Sequence, residues 1–598
     1  MSAQTSADVP RIGGAGGPLT RVWRIARPTW ARLAASILLA AGALTSSVGL
    51  LAVSAWLISR AAQHPPILYL QVAIVAVRAL GISRGVLRYA ERLVSHDAAL
   101  RGLVGLRVAV YQRLERLSPA GLGAHRRGDL LARIVGDVDT TSDLVVRVIV
   151  PAAAGLLSGL VGVLIGWALV PAGGLALLIM VVVAGFVAPA LSLALGARAQ
   201  AQRADADGDL SAELVASLAA APELRAYGAV DDALARIADA DARITRIDRR
   251  SALAGGLGEG LAALTTGLAL VAALITGTAA VSDGSLDGVW LATLVLMPLA
   301  LADVLSGLPA AALARARVAG AATRLLAVLD APDPVPAHAQ VVDAAPRPGA
   351  PDARLTCVSA RYPATTTDAI SDLDLDLSDG RRIALVGPSG SGKSTAVTVL
   401  LRLLDHRAGQ YHLDGVDVRD LPEDAIRDVI GAVDQQAHLF DTTIEQNLLL
   451  ARRDASDERV AAAVAAAELT DWIDRLPDGL ATRVGAHGSA VSGGEAQRIA
   501  LARVLLADRP IVLLDEPGEH LDVEMADRVT SAALRATAGR TVLLVTHRMA
   551  HTRQVDEIVV LKDGRVTGRG TAEELGGWYA DAAAREAGAE GAGTGRRE

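Results

Sequence analysis

The chain reads as two parts of different fold class: an α-helical membrane domain of six transmembrane helices, followed by an α/β domain. Three observations carry this reading. Of 598 residues, 52% are hydrophobic, a high share for a water-soluble protein, and the excess is concentrated in the first half. There, apolar runs exceed the roughly 18 residues at which a segment becomes a candidate span. The second half alternates strand-like and helix-like runs, as a sheet flanked by helices requires. It also contains Gly387-Pro388-Ser389-Gly390-Ser391-Gly392-Lys393-Ser394-Thr395.

Residues 1–29 are expected to form a mobile cytoplasmic N-terminus, small and polar over 1–18. Met1 to Leu19 contains no apolar core of a cleavable signal peptide, so the spans themselves direct insertion. The membrane domain occupies 30–330, with spans expected at 30–59, 67–92, 144–169, 174–196, 252–281 and 288–315. Arg21, Arg24, Arg27 and Arg32 precede or open the first span and place the N-terminus in the cytoplasm. The loop near 282–287, with Asp283 and Asp287, and the uncharged turn at 170–173 suit the far side; Arg60 is the misfit.

No strong breaker other than glycine interrupts Ile67 to Ser118, so the second helix is expected to run on into the cytoplasm. Ser118-Pro119-Ala120-Gly121 ends it and Gly128 to Arg133 begins the return; a second long polar segment, about 197–250, separates spans four and five. Residues 331–352 read as a linker, 353–582 as the nucleotide-binding domain, and 583–598 as a disordered tail.

A net charge of -7 and 3% aromatic residues argue against a nucleic-acid partner. The single Cys357 excludes an internal disulfide and a cysteine metal cluster. Lysine is rare, the chain having only Lys393 and Lys562 among 58 basic residues, yet one falls inside the glycine-rich stretch. That stretch fits the phosphate-binding loop G-x-x-x-x-G-K-[ST]. Gly387, Gly390 and Gly392 let backbone N–H groups turn inward around phosphates, and the helix that follows adds its positive end. Ser389 and Thr395 belong to the same cradle, and the slim Lys393 ammonium reaches between phosphates where a guanidinium fits poorly. Arg382 to Val386 reads as the buried strand before the loop, and Ala396 to Leu404 as the helix after it.

Ile511 to Glu516 reads as a strand ending in two carboxylates. Such a pair is often only a turn; here the apolar strand before it and the phosphate loop upstream favour chemistry. Asp515 is placed to hold Mg²⁺ with Ser394, and Glu516 to act as general base or water-orienting group toward the γ-phosphate.

Between these lies Val491-Ser492-Gly493-Gly494-Glu495, which closely resembles the signature of the ATP-binding-cassette (ABC) family. The resemblance implies ATP as ligand and assigns further roles. Tyr362 looks like the aromatic that stacks on adenine. Gln435 looks like the glutamine that senses Mg²⁺, Asp522 like the aspartate of the loop crossing between cassettes, and His547 like the switch histidine at the γ-phosphate. It also implies that two chains pair, with Ser492, Gly493, Gly494 and Glu495 facing ATP held by the partner's loop. Three departures stand out: Glu495 where Gln is usual, no glutamate in Arg483 to Gly488, and Pro517 to Leu521 in place of Ala-Thr-Ser-Ala-Leu.

Six spans ahead of one cassette resemble the type IV exporter architecture, which implies coupling helices near Leu122–Arg127 and Glu213–Arg225. Ser54 to Arg60, Arg88 to Ala98 and Glu519 to Asp522 look like the CydC subunit family of bacterial CydDC exporters. That resemblance implies a CydD-like partner, a bacterial cytoplasmic membrane, a role in cytochrome bd assembly, and export of glutathione or cysteine, or alternatively transport of haem. Arg84, Arg88, Arg92 and His96 recur every four residues on the second helix. Arg84 lies about 26 Å along it, still within the inner part of a hydrocarbon layer of about 30 Å, and Arg78 is deeper. An arginine there costs about 3 kcal/mol on insertion scales and marks a pathway by default. Arg88, Arg92 and His96 are therefore the substrate candidates, for carboxylates of glutathione or the propionates and iron of haem. The alternatives are snorkelling to lipid phosphates and pairing of Arg88 or Arg92 with Glu91 or Asp97. Glu259 and Asp303 also fall within spans and either line the path or cap helices. Two rival functions remain at this level: a regulatory, low-turnover half of an ABC heterodimer, and a homodimeric lipid or peptide exporter.

Overall fold

The structure, a computed structural model, describes residues 17–26, 29–122, 136–336, 351–363, 365–433, 438–485, 488, 490–519 and 521–577. Most of the expected N-terminal segment, Gly128 to Arg133, the first coupling helix beyond Leu122, residues 337–350 of the linker, Gln435, His487, His520 and the tail lie outside these. Two compact units separate, Met1–Arg116 with His125–Ala331 and Leu117–Ala124 with Pro332–Glu598.

The first unit opens with a short helix α1 (Pro18–Ala26). Six long apolar helices follow: α2 (Trp30–Ala61), α3 (Leu68–Leu117), α4 (Val138–Leu169), α5 (Pro171–Ala219), α7 (Val230–Ser282) and α8 (Gly288–Leu329), with the short α6 (Ala221–Ala226) between α5 and α7. At 50 residues, α3 is about 75 Å long, more than twice the hydrocarbon layer. The expected continuation of the second span to Ser118 is thus present, and α5, α7 and α8 likewise outrun the spans expected within them. The second coupling helix differs from expectation. Glu213 belongs to the last turns of α5, and the separate helix is only Ala221–Ala226, because Pro222 fits the first turn of a new helix better than the interior of an old one.

Small residues let these helices approach closely, as membrane packing requires without a hydrophobic drive between helices. A Cβ on Gly258 of α7 would lie 2.0 Å from Ser192 Oγ of α5, and one on Gly174 would lie 2.5 Å from Trp167 Cα. Thr45 Oγ1 donates to Ser158 Oγ (3.2 Å), Ser158 Oγ to Ala41 O (3.1 Å), and Thr293 Oγ1 to Ala52 O (3.2 Å), joining α2 to α4 and α8. Val22 of α1 is buried among Leu106 and Val110 of α3 and Leu325 of α8. Two forked ion pairs brace this end: Arg324 grips Asp137 (2.5 and 2.9 Å) and Arg21 grips Asp330 (2.6 and 2.8 Å).

In the second unit, ten strands among the described residues form two sheets. The antiparallel sheet has order β2-β1-β4-β5, from β1 (Ala353–Ala360), β2 (Ile370–Leu377), β4 (His406–Leu413) and β5 (Val416–Asp417). The larger has order β10-β9-β3-β8-β7-β6, from β3 (Arg382–Val386), β6 (Ile430–Val433), β7 (Ile511–Asp515), β8 (Thr541–Thr546), β9 (Glu557–Lys562) and β10 (Arg565–Gly570). Its strands β9-β3-β8-β7-β6 are parallel and β10 is an antiparallel edge. The near-continuous apolar runs of β7 and β8 are explained by burial on both faces. Ile511, Leu513, Leu543 and Val545 enter one core with the antiparallel sheet, whereas Val512, Leu514, Val542 and Leu544 enter a second core with the helical segment 444–534.

Candidate functional site

The strand expected over Arg382–Val386 is β3, and all four of its residues from Ile383 are fully buried. The loop leaves its C-terminal end and leads into α9 (Lys393–Leu400), which begins earlier and ends earlier than the expected Ala396–Leu404. The glycines have distinct tasks. Gly390 (φ 78°) and Gly392 (φ 102°) occupy left-handed backbone, and a Cβ on Gly392 would lie 2.6 Å from Ala369 O. At Gly387 a Cβ would lie 2.1 Å from Leu561 O, so there close approach of β9 is the constraint. Pro388, Ser389, Gly390 and Ser394 are exposed, while Lys393 and Thr395 are buried. Lys393 Nζ donates to Gly387 O (2.8 Å) and Pro388 O (3.0 Å), which holds the ammonium inside the loop. The Tyr362 hydroxyl lies 3.5 Å from Thr395 Oγ1, so this aromatic stands at the start of α9.

α9 packs against β7, whose last residue is Asp515, buried at the sheet's C-terminal edge. The strand stops there rather than at Glu516, which turns into left-handed backbone (φ 47°) with its N–H bonded to Val545 O. That turn sends two adjacent carboxylates in different directions. Glu516 Oε1 lies 3.4 Å from His547 Nδ1, just beyond the end of β8. The His547 hydrogen bond holds the Glu516 carboxyl below its ordinary range, against the opposing effect of burial, and the charges of His547 and Lys393 act in the same direction. Asp515, Glu516, His547 and Lys393 thus lie at or beyond the C-terminal ends of three neighbouring parallel strands, β7, β8 and β3, with Lys393 at the start of α9.

The signature residues do not join this group. Ser492 is the N-cap of α10 (Gly493–Ala507), which packs in the second core. Its Oγ accepts from Glu495 N (3.3 Å) while Glu495 Oε2 accepts from Ser492 N (2.7 Å), a reciprocal capping box. Glu and Gln serve that box equally, which gives the departure at 495 a local explanation. A Cβ on Gly494 would lie 2.3 Å from Leu521 Cδ2, so the signature packs against the segment leading to Asp522. Asp522 caps α11 (Val523–Ala536), accepting from Met525 N (2.9 Å). Gln497, not singled out from sequence, donates to Glu516 O (3.4 Å) from the face of α10 opposite its exposed start. Its only signal in the sequence is its place on the buried stripe of that helix.

In the membrane unit, a cleft of about 210 Å³ is lined by Arg88, Glu91, Arg92, Ser95 and His96 of α3 with apolar residues of α2 and α4. His96 Nδ1 lies 2.9 Å from Arg92 O, one helical turn back, which engages one of its two ring nitrogens. The expected alternative pairing of Arg88 or Arg92 with Asp97 is not found. Asp97 instead holds Arg32 (2.9 Å) and Arg101 (2.9 Å), and neither Arg88 nor Arg92 makes an ion pair with any described residue. Glu259 and Asp303 do not line this cleft. Of the six long helices, α3 is the least covered within the chain, with 6% of its apolar window buried against 50% for α8.

Comparison with known proteins agrees with this architecture. The model for the ABC transporter transmembrane region matches residues 30–299, and that for the ABC transporter matches residues 370–519. The chain is 32% identical over 91% of its length to the glutathione/L-cysteine transport system ATP-binding/permease protein CydC of Escherichia coli, covering 95% of that protein. It is also 32% identical over 90% of its length to CydD of the same system in Bacillus subtilis, covering 93% of it. An ATP-dependent lipid A-core flippase of Chromobacterium violaceum is 31% identical over 79% of the chain and 81% of its own length. A bacterial Atm1-family ABC exporter with ATP bound superposes with a TM-score of 0.77 at 26% identity, covering 93% of this chain and 98% of that one. With six membrane helices fused to one ATP-binding cassette, the chain belongs to the ABC exporters of type IV fold and is an ATP-driven half-transporter.

Proposed function

We propose that this half-transporter is CydC-like. It pairs with a CydD-like chain in the bacterial cytoplasmic membrane and moves haem, or a thiol reductant such as glutathione or cysteine, in support of cytochrome bd assembly. The observation that carries the substrate reading is the cleft of Arg88, Arg92 and His96, where two guanidinium groups with no ion-pair partner among the described residues and an imidazole stand beside apolar residues of α2 and α4. Unpaired guanidinium groups suit an anionic solute, and the apolar residues suit a flat hydrophobic one such as haem.

At the cassette, Lys393 and the loop from Gly387 to Thr395 hold the phosphates of ATP, Tyr362 stacks on the base, and His547 contacts the γ-phosphate. Glu516, ionised at neutral pH, orients or deprotonates the attacking water. Mg²⁺ would be held by Ser394, Asp515 and Gln435, and supplies charge neutralisation on the phosphates when bound. Asp515 fits it as a buried carboxylate at the end of β7, the strand against which α9 packs, while Gln435 lies outside the described residues. Among the described residues no group of three His, Cys, Asp or Glu side chains could hold a metal alone. The resemblance of Ser492 to Glu495 to the cassette signature supports the reading that they face ATP held by the paired chain, with Asp522 in the loop that crosses between cassettes.

The test is ATPase activity of this chain co-purified with its partner and titrated separately with haemin, glutathione and cysteine. Stimulation by haemin that is lost in His96→Ala supports haem as substrate, and thiol stimulation insensitive to that change supports reductant export. Stimulation by lipid A alone, or full activity of this chain as a homodimer, would overturn the CydC-like reading in favour of a lipid exporter. Unchanged ATPase of the heterodimer carrying Glu516→Gln would favour the regulatory role.

A further inference from the structure

We propose that Asp527 is a positioning residue for the switch histidine, tying the helix that starts at Asp522 to the loop that carries His547. This rests on reading His547 as the γ-phosphate contact and Asp522 as the residue facing the neighbouring cassette. Asp527 Oδ1 accepts from Arg548 Nη2 (2.9 Å) and from His551 Nε2 (3.0 Å). Arg548 directly follows His547, and His551 is buried four residues further on. With Nε2–H donated to Asp527, the His551 Nδ1 is left to face the Ser531 hydroxyl at 3.5 Å. Asp527 and Ser531 are four residues apart on one face of α11, so a single helix face holds both ring nitrogens.

The loop is fixed at its other end as well. Arg548 N donates to Thr546 Oγ1 (2.9 Å) at the end of β8, and Gln554 N to His551 O (3.0 Å). Between these anchors His547 remains exposed, with Nδ1 3.4 Å from Glu516. The segment after Glu516 rests on the same helix, since a Cβ on Gly518 would lie 2.8 Å from Ala526 Cβ, one residue before Asp527. α11 therefore touches the strand end that bears Glu516 through Ala526, the switch loop through Asp527, and the inter-cassette segment through Asp522. Displacement of Asp522 by a neighbouring cassette moves a short rigid helix, and Asp527 passes that movement to His547.

The experiment is steady-state ATPase of the full transporter in nanodiscs, with ATP binding and thermal unfolding measured on the same samples. Asp527→Ala is expected to lower kcat about 5- to 20-fold with KM for ATP changed less than about 2-fold, as loss of positioning rather than of binding. Ser531→Ala, which removes only the weaker contact, is expected to lower kcat by about 2-fold, and Asp527→Asn replaces Asp527→Ala should the latter not fold. In a His547→Ala background, read by single-turnover phosphate release, Asp527→Ala is expected to add no further loss. An unchanged kcat in Asp527→Ala, equal changes in kcat and KM, or additive losses with His547→Ala would each overturn the proposal. Unchanged turnover in His547→Ala alone would instead overturn the reading of His547 on which it stands.

Discussion

His547 Nδ1 lies 3.4 Å from Glu516 Oε1, so the imidazole at the end of one strand donates to the carboxylate that follows its neighbour. This contact sets the ionisation of Glu516 before any substrate arrives, and Lys393 adds to it from the start of α9.

The pH dependence follows with a definite sign. A carboxyl held below its ordinary range contributes its interaction fully above the unfolded pKa and loses it as pH falls through the lowered folded value. The acid limb of the kcat/KM profile for ATP is therefore expected below the ordinary glutamate range. His547→Ala is expected to move that limb upward in pH besides lowering turnover. A limb in the same place in both proteins would show that the contact does not tune Glu516.

The phosphate loop makes a backbone prediction. Gly392→Ala forces an L-residue to φ 102° with its Cβ 2.6 Å from Ala369 O, neither of which a flexible neighbour can relieve. Destabilisation of about 1–3 kcal/mol is expected, with loss of ATP binding measured by a fluorescent nucleotide analogue. Ser389→Ala, at an exposed position of the same loop, is expected to leave thermal stability unchanged.

The signature residue at 495 can be separated from its charge. Glu495→Gln preserves the capping box and is expected to change ATPase by less than about 2-fold. Glu495→Ala removes one arm of the box and is expected to lower cassette stability by about 1 kcal/mol, read from the thermal unfolding midpoint. A large loss in Glu495→Gln would mean that the carboxylate itself is needed.

In the membrane unit the forked Arg324–Asp137 pair is mostly buried, whereas Arg107–Asp139 nearby is half exposed. Asp137→Ala is expected to destabilise by about 2–4 kcal/mol, because it strips Arg324 of its buried counter-charge. Asp139→Ala is expected to cost less than about 1 kcal/mol. Thermal unfolding in nanodiscs measures both, and equal effects would contradict the burial argument.

The six spans were legible because hydrocarbon demands long apolar runs, a requirement written residue by residue. The same holds for β3 and its loop, where phosphate contact demands glycine and one slim cation at fixed spacing. Helix ends were less legible. Polarity marks where the apolar run of α5 or α7 gives way to charged residues, but helix propensity runs through both parts, so nothing local marks where the helix itself ends. The strand ends at Asp515, one residue before the sequence places it, because Glu516 takes left-handed backbone with its N–H bonded to Val545 O of the neighbouring strand.

By itself, then, the sequence determined the two fold classes, the six long apolar helices and the glycine-rich loop between β3 and α9. Each of these depends on composition or spacing along the chain. Tertiary structure alone decided that Asp97 serves Arg32 and Arg101 rather than Arg88 or Arg92, and that Asp527 holds Arg548 and His551. Those partners lie on different helices or loops, or compete for one another over similar separations. Only the packed geometry, through distances set by burial and close helix approach, selects among them.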